Sequence, residues 1–101
     1  MDRADAVELA QRFAKIVRAK YACRQFFLFG SYAKGMEHEE SDIDLAVVFD
    51  GFENIVEMQT ELMRLRRAID SRIEPHPFRE KDFNLSNPLA FEILQYGQRI
   101  E

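Results

Sequence analysis

Phe29-Gly30-Ser31-Tyr32-Ala33-Lys34-Gly35, then Met36-Glu37-His38-Glu39-Glu40-Ser41, then Asp42-Ile43-Asp44-Leu45-Ala46-Val47-Val48 is the stretch on which the fold turns. Gln25 to Phe29 is an apolar run stopped by Gly30 and reads as a buried strand. Asp42 to Phe49 reads as a second strand, ended by Asp50-Gly51. Along it Ile43, Leu45 and Val47 alternate with Asp42, Asp44 and Ala46. One face therefore enters a core, and the other begins with two carboxylates pointing the same way. Asp is disfavoured in strands and like charges on one face repel, so this pair calls for a cation. Mg²⁺, which prefers oxygen ligands, would supply one. The Gly-Ser turn offers backbone N–H groups and a hydroxyl suited to a phosphate. Gly30 lets the backbone approach without a Cβ in the way, Ser31 adds a hydroxyl donor, and Lys34 could pair with a phosphate charge. A phosphate cradle beside metal carboxylates is the apparatus of phosphoryl or nucleotidyl transfer.

Working outward, Ala6, Leu9, Ala10, Phe13, Ile16 and Val17 repeat at helical spacing, which predicts an amphipathic helix from about Asp2 to Arg18. Arg12, Lys15 and Arg18 sit off that stripe as a solvated face. Downstream, Asp50-x-x-Glu53 resembles a capping box. Ile55, Met58, Leu62, Leu65 and Ile69 then predict a second helix running to about Ile69. Arg64, Arg66 and Arg67 crowd its end, where cations complement the helix dipole. Arg72 to Phe78 is extended, since each proline biases the residue before it away from helix. Pro75 and Pro77 are two apart, so both missing donors lie on one edge, and that edge should be unpaired. Asn87-Pro88 starts a third helix as N-cap and first-turn proline, and Gly97 ends it. Arg99-Ile100-Glu101 is too short to assign. The order is α-β-β-α-β-α.

The 101 residues suit one domain, residues 1–101, with a single core. The net charge of −4 argues against broad nucleic-acid binding, which needs a basic footprint, and leaves room for a nucleotide arriving with its metal. One cysteine, Cys23, excludes an intrachain disulfide and reads as a small buried hydrophobe. The chain starts without the apolar core of a signal peptide and has no membrane-length apolar run, so it reads as cytoplasmic.

A third carboxylate should come from a neighbouring strand. Glu74 is the candidate and Asp70, near the helix end where a turn role suits it, is the runner-up. Asp42, Asp44 and Glu74 should then converge on one site. His76 shares the face of Glu74 and could touch substrate or move a proton, or be a plain exposed histidine. Tyr32 could stack on a base or pack against a helix. His38 lies in the acidic run Glu37–Asp42, which reads as a solvated loop. No P-loop sequence occurs, so an ordinary NTPase is disfavoured.

Gly-Ser-x-Ala-x-Gly followed by Ser-Asp-Ile-Asp-Leu resembles the signature of the DNA polymerase beta-like nucleotidyltransferases. The small size resembles their minimal nucleotidyltransferase (MNT) branch. The motif covers Phe29 to Val48, and the element order extends the likeness over nearly the whole chain. The resemblance implies an α/β (α+β) fold, a small mixed sheet flanked by helices. It implies transfer of a nucleoside monophosphate from an NTP with release of pyrophosphate, supported by Mg²⁺ in a two-metal site where Mn²⁺ can substitute. By it, Gly30 and Ser31 hold phosphates, while Asp42, Asp44 and a third acid hold metal. Many members carry Arg within the Gly-Ser loop, and here Lys34 takes that place. Many have Asp as the third acid, and here it would be Glu74 before proline. Larger relatives add a helical domain for the second substrate, so a partner is expected to supply the acceptor site. MNT proteins are often paired with a HEPN-domain protein, and in characterised pairs the MNT antitoxin adenylylates the HEPN ribonuclease toxin. The expectation is AMP transfer from ATP to a protein acceptor, a HEPN partner. The alternative is a non-catalytic antitoxin or scaffold that neutralises its partner sterically, and transfer to a small molecule or RNA ranks third.

Overall fold

The computed structural model describes residues 1–38 and 40–101. Helix α1 spans Arg3–Lys20, opened by a capping box in which Asp2 accepts from the Asp5 N–H and Asp5 accepts from the Asp2 N–H. Strand β1 covers Cys23–Phe29, a single turn of helix α2 covers Ser31–Lys34, and strand β2 covers Ile43–Phe49. Helix α3 covers Ile55–Leu65 and runs into a 3₁₀ turn at Arg66–Ala68. Strand β3 is Ile73–Arg79, followed by a 3₁₀ turn at Glu80–Asp82. Helix α4 is Pro88–Tyr96 and strand β4 is Gln98–Ile100.

The short helix α2 and strand β4 are additional to the expected order, β1 starts two residues early, and both boundaries of α3 differ from the sequence expectation. The cap of α3 is Asn54, whose side chain accepts from the Glu57 N–H at 3.0 Å, not the pair Asp50 and Glu53. The helix also tightens at Arg66, four residues early, because the chain must turn at Asp70 to enter β3. The Asn87 cap is as expected, accepting from Leu89 and Ala90. Glu39 lies outside the described residues, so the expected solvated loop is seen only in part. In that part the His38 N–H donates to Ser41 Oγ at 2.9 Å and the Ser41 N–H to His38 O at 3.0 Å, which buries Ser41.

The strands form one mixed sheet in the order β3-β2-β1-β4. β1 is antiparallel to β2 and β4, and β2 is parallel to β3. On one face Phe26, Leu28, Ile43, Leu45, Val47 and Ile73 pack beneath α1 and α3, which contribute Phe13, Val17 and Leu62. On the other, Phe27, Phe29, Ala46, Val48 and Phe78 meet Ala90 and Ile93 of α4.

β3 is an edge strand, as its prolines require. The Ile43 N–H donates to Arg72 O at 2.9 Å, so the even residues of β3 bond towards β2 and Ile73, Pro75 and Pro77 turn outwards. The outward carbonyls are capped from α3 and its 3₁₀ extension. Gln59 donates to Pro75 O at 2.9 Å and Arg66 to Ile73 O at 2.8 Å. Missing donors and covered acceptors together close this edge to another strand.

Candidate active site

The candidate residues gather where β1 ends and β2 and β3 begin. Gly30 takes φ 72° and ψ −147°, a conformation essentially reserved for glycine. A Cβ there would stand 2.4 Å from Asp44 Oδ2, so the turn and this carboxylate lie against each other. The register explains it: Phe29 pairs with Asp44 across β1 and β2, and Asp44 pairs with Glu74 across β2 and β3. Asp44 and Glu74 are neighbours on the α4 face, both partly exposed. Asp42 precedes β2 by one residue and is exposed. Ser31 follows Gly30 as the first residue of α2, also partly exposed.

Asp44 and Glu74 each have a separate partner. Asp44 Oδ1 lies 3.3 Å from His76 Nε2, and Glu74 Oε1 lies 3.8 Å from Arg66 Nη1. Among the described residues no three His, Cys, Asp or Glu side chains stand close enough to hold a metal ion as placed. As placed, Asp44 leans to His76, Glu74 leans to Arg66, and Asp42 lies just ahead of the strand. The donor chemistry nevertheless suits a hard cation, since all three offer carboxylate oxygens and Asp44 presents Oδ2 beside the glycine turn.

Asp70 does not belong to this group. Its Oδ1 accepts from the Arg72 N–H at 2.8 Å, and both its oxygens accept from the Arg72 guanidinium. That side-chain pairing holds its carboxyl below the usual range and fixes the turn into β3. Lys34 is engaged as well, with Nζ bonded to Glu92 and lying 5.5 Å from the Tyr96 ring centre. α4 thus adjoins the glycine turn through Lys34. Tyr32 packs within the core, and its hydroxyl has no hydrogen-bond partner among the described residues, so it offers no stacking surface. His38 Nδ1 accepts from the Glu40 N–H at 3.3 Å. Burial pushes the Cys23 thiol up to about 11, in keeping with a packing role. A cleft of about 390 Å³ lined by Phe78, Arg79, Asn84 and Asn87 lies at the other end of β3 from Glu74. Sequence reasoning missed both partners of the acids as such. For His76 the signal was its shared face with Glu74, and for Arg66 nothing in the linear pattern distinguished it from Arg64 and Arg67.

Comparison with known proteins gives these observations a family. The profile of the family "Polymerase beta, Nucleotidyltransferase" matches residues 11–100. MntA of Shewanella oneidensis, a protein adenylyltransferase, is 41% identical over 75 residues, which cover 73% of this chain and 50% of MntA. MJ0604 of Methanocaldococcus jannaschii, named as a candidate protein adenylyltransferase, is 34% identical over 80 residues, 75% of this chain and 80% of the relative. MJ1379 of the same organism, also named as a candidate protein adenylyltransferase, is 49% identical over 43 residues, so the chain spans only 43% of that protein, with 43% of its own length matched. Among solved structures, a candidate nucleotidyltransferase from Sulfolobus solfataricus superposes with a TM-score of 0.67 at 22% identity, covering 79% of this chain and 72% of that one. A chain from the complex of the tri-AMPylated S. oneidensis HEPN toxin with its MNT antitoxin gives 0.63 at 21% identity, covering 94% and 71%. The chain belongs to the polymerase beta nucleotidyltransferase family.

Proposed function

We propose that this member of the nucleotidyltransferase family acts as a single minimal domain that moves AMP from ATP onto a protein acceptor, the HEPN partner of a toxin–antitoxin pair. The observation that carries the reading is the register: Asp44 pairs with Glu74 on one side and abuts the Gly30 turn on the other. In this reading Gly30 and Ser31 receive the phosphates through backbone N–H groups and a hydroxyl. Asp42, Asp44 and Glu74 hold a divalent cation, Mg²⁺ or Mn²⁺, which when bound neutralises phosphate charge and polarises the reacting oxygens. Lys34 reaches the phosphates by exchanging Glu92 for them, which keeps one ion pair throughout. Glu74 must likewise turn from Arg66. The acceptor oxygen attacks the α-phosphorus in line with departing pyrophosphate. The names of MntA and MJ0604 support protein as the acceptor class. A HEPN partner is supported by the complex from S. oneidensis.

A second reading is a non-catalytic antitoxin that blocks its partner by binding. The pairing of Asp44 with His76 and of Glu74 with Arg66 favours it, since both acids are already engaged. One experiment separates the two. The chain, ATP, Mg²⁺ and a HEPN-domain partner are incubated, and the partner's intact mass is measured. The enzyme reading expects one or more added AMP groups, absent with Asp44→Asn. Full neutralisation by an Asp42→Asn, Asp44→Asn variant, with no mass gained, would replace it with the binding reading.

A further inference from the structure

We infer that His76 is a positioning residue that sets the rotamer of Asp44 before any cation arrives, an inference that rests on Asp44 being a metal ligand. An ionised carboxylate only accepts hydrogen bonds, so the 3.3 Å contact with Asp44 Oδ1 assigns the proton of a neutral ring to Nε2. That contact turns Oδ1 towards β3 and leaves Oδ2 facing the Gly30 turn, where the phosphates would lie. The imidazole is itself held. Its ring meets the Phe29 ring edge-on, with centres 5.0 Å apart and planes at 63°. The residue directly opposite His76 on β2 is Ala46, which is small and fully buried. A larger side chain there would stand between the imidazole and Asp44, which are diagonal neighbours on this face. Phe29, Ala46, His76 and Asp44 therefore form one unit, in which an aromatic wall and a small residue let one ring aim one carboxylate. Side chains that hydrogen-bond a metal ligand from outside in this way fix its orientation and raise its affinity for the ion.

The test is Mn²⁺ binding to the full chain without nucleotide, followed by the loss of the free-ion signal in electron paramagnetic resonance. His76→Phe keeps a ring against Phe29 and removes the donor. His76→Gln places an amide N–H at nearly the reach of Nε2. We expect His76→Phe to weaken Mn²⁺ binding by about 10–100-fold and His76→Gln to stay within about threefold of the parent. Should His76→Phe fail to fold in EDTA, His76→Asn, whose amide falls short of Asp44, takes its place against His76→Gln. Equal affinity in the donor-less variant and the parent would overturn the role of His76 alone, as would a Gln variant as weak as the Phe one. A parent chain that binds no Mn²⁺ would overturn the metal reading of Asp44 and this inference with it.

Discussion

The two faces of the sheet use the same strands for opposite ends. Along β2, Ile43, Leu45 and Val47 point beneath α1 and α3 and are fully buried. Asp44, one residue out of phase, points to the α4 side and stays partly open to water. The first face is covered by two helices and the second by one, α4, which packs chiefly over β1 through Ala90 and Ile93, with Phe83 set against Phe27 and Phe78. The uncovered part of that second face, where β2 and β3 begin, is where Asp44, Glu74 and His76 stand. Stability is thus concentrated on one side of a strand and chemistry on the other, at a separation of a single residue.

Neighbouring substitutions on β2 should expose that division most strongly. Leu45→Ala removes a fully buried side chain and should cost about 2–5 kcal/mol. Asp44→Asn, in EDTA, should leave stability within about 0.5 kcal/mol of the parent or raise it, because it removes one charge from the Asp44–Glu74 pair. Urea unfolding of both variants checks this. A large loss from Asp44→Asn would make that aspartate a structural residue and erase the difference between the faces.

The glycine turn is where the two roles meet, and Gly30→Ala should affect both. A Cβ would force Asp44 Oδ2 to move and would strain a backbone at φ 72°, ψ −147°. The expected cost is about 1–3 kcal/mol in stability. Calorimetry with ATP and Mg²⁺ should also show the parent's ligand-induced rise in melting temperature lost in the variant. Retention of that rise at unchanged stability would mean that the turn relaxes freely and that Asp44 does not depend on it.

Much of this was legible in the sequence because it depends on local chemistry. Pro75 and Pro77 announce an edge strand, Asn87-Pro88 a helix start, and the alternation from Ile43 to Val47 a strand with one buried face. Most of what escaped depends on distant partners. β4 is three residues long and exists because β1 has a free edge to pair with, Phe26 with Ile100 and Leu28 with Gln98. Asn54, not Asp50, caps α3, although both precede an apolar helix and carry an acid three residues on. Glu74 is preferred to Asp70 because it lies on a strand while Asp70 falls near the helix end, but its ion pair with Arg66 required knowing that the 3₁₀ turn lies beside β3. His76 reaching back to Asp44 required both the parallel register and the small Ala46.

The closed face has polar clasps at its rim, and these should give the smallest effect and the one most sensitive to pH. The Tyr21 hydroxyl, just past the end of α1, donates to Glu61 on α3, which also accepts from Arg64 at 2.8 Å. The Tyr21 bond, and then Arg64, hold the Glu61 carboxyl below its ordinary value of 4.5, while the same bond pushes the Tyr21 hydroxyl upward. A carboxyl lowered in the folded state adds stability above its unfolded value, and that stability is lost as pH falls through the lowered folded value. Tyr21→Phe keeps the ring's edge contact with Phe49 and removes only the donor. Near neutral pH it should cost about 1 kcal/mol, less than a fully buried bond to a charge because the clasp is open to solvent. As pH falls through that lowered value, Glu61 in the parent takes up its proton, and the gap between parent and variant should narrow. Urea unfolding of the two proteins from pH 7 down to about pH 3 measures it. A gap constant across that range would assign the cost to packing, and the closed face would then owe nothing to charge at this rim.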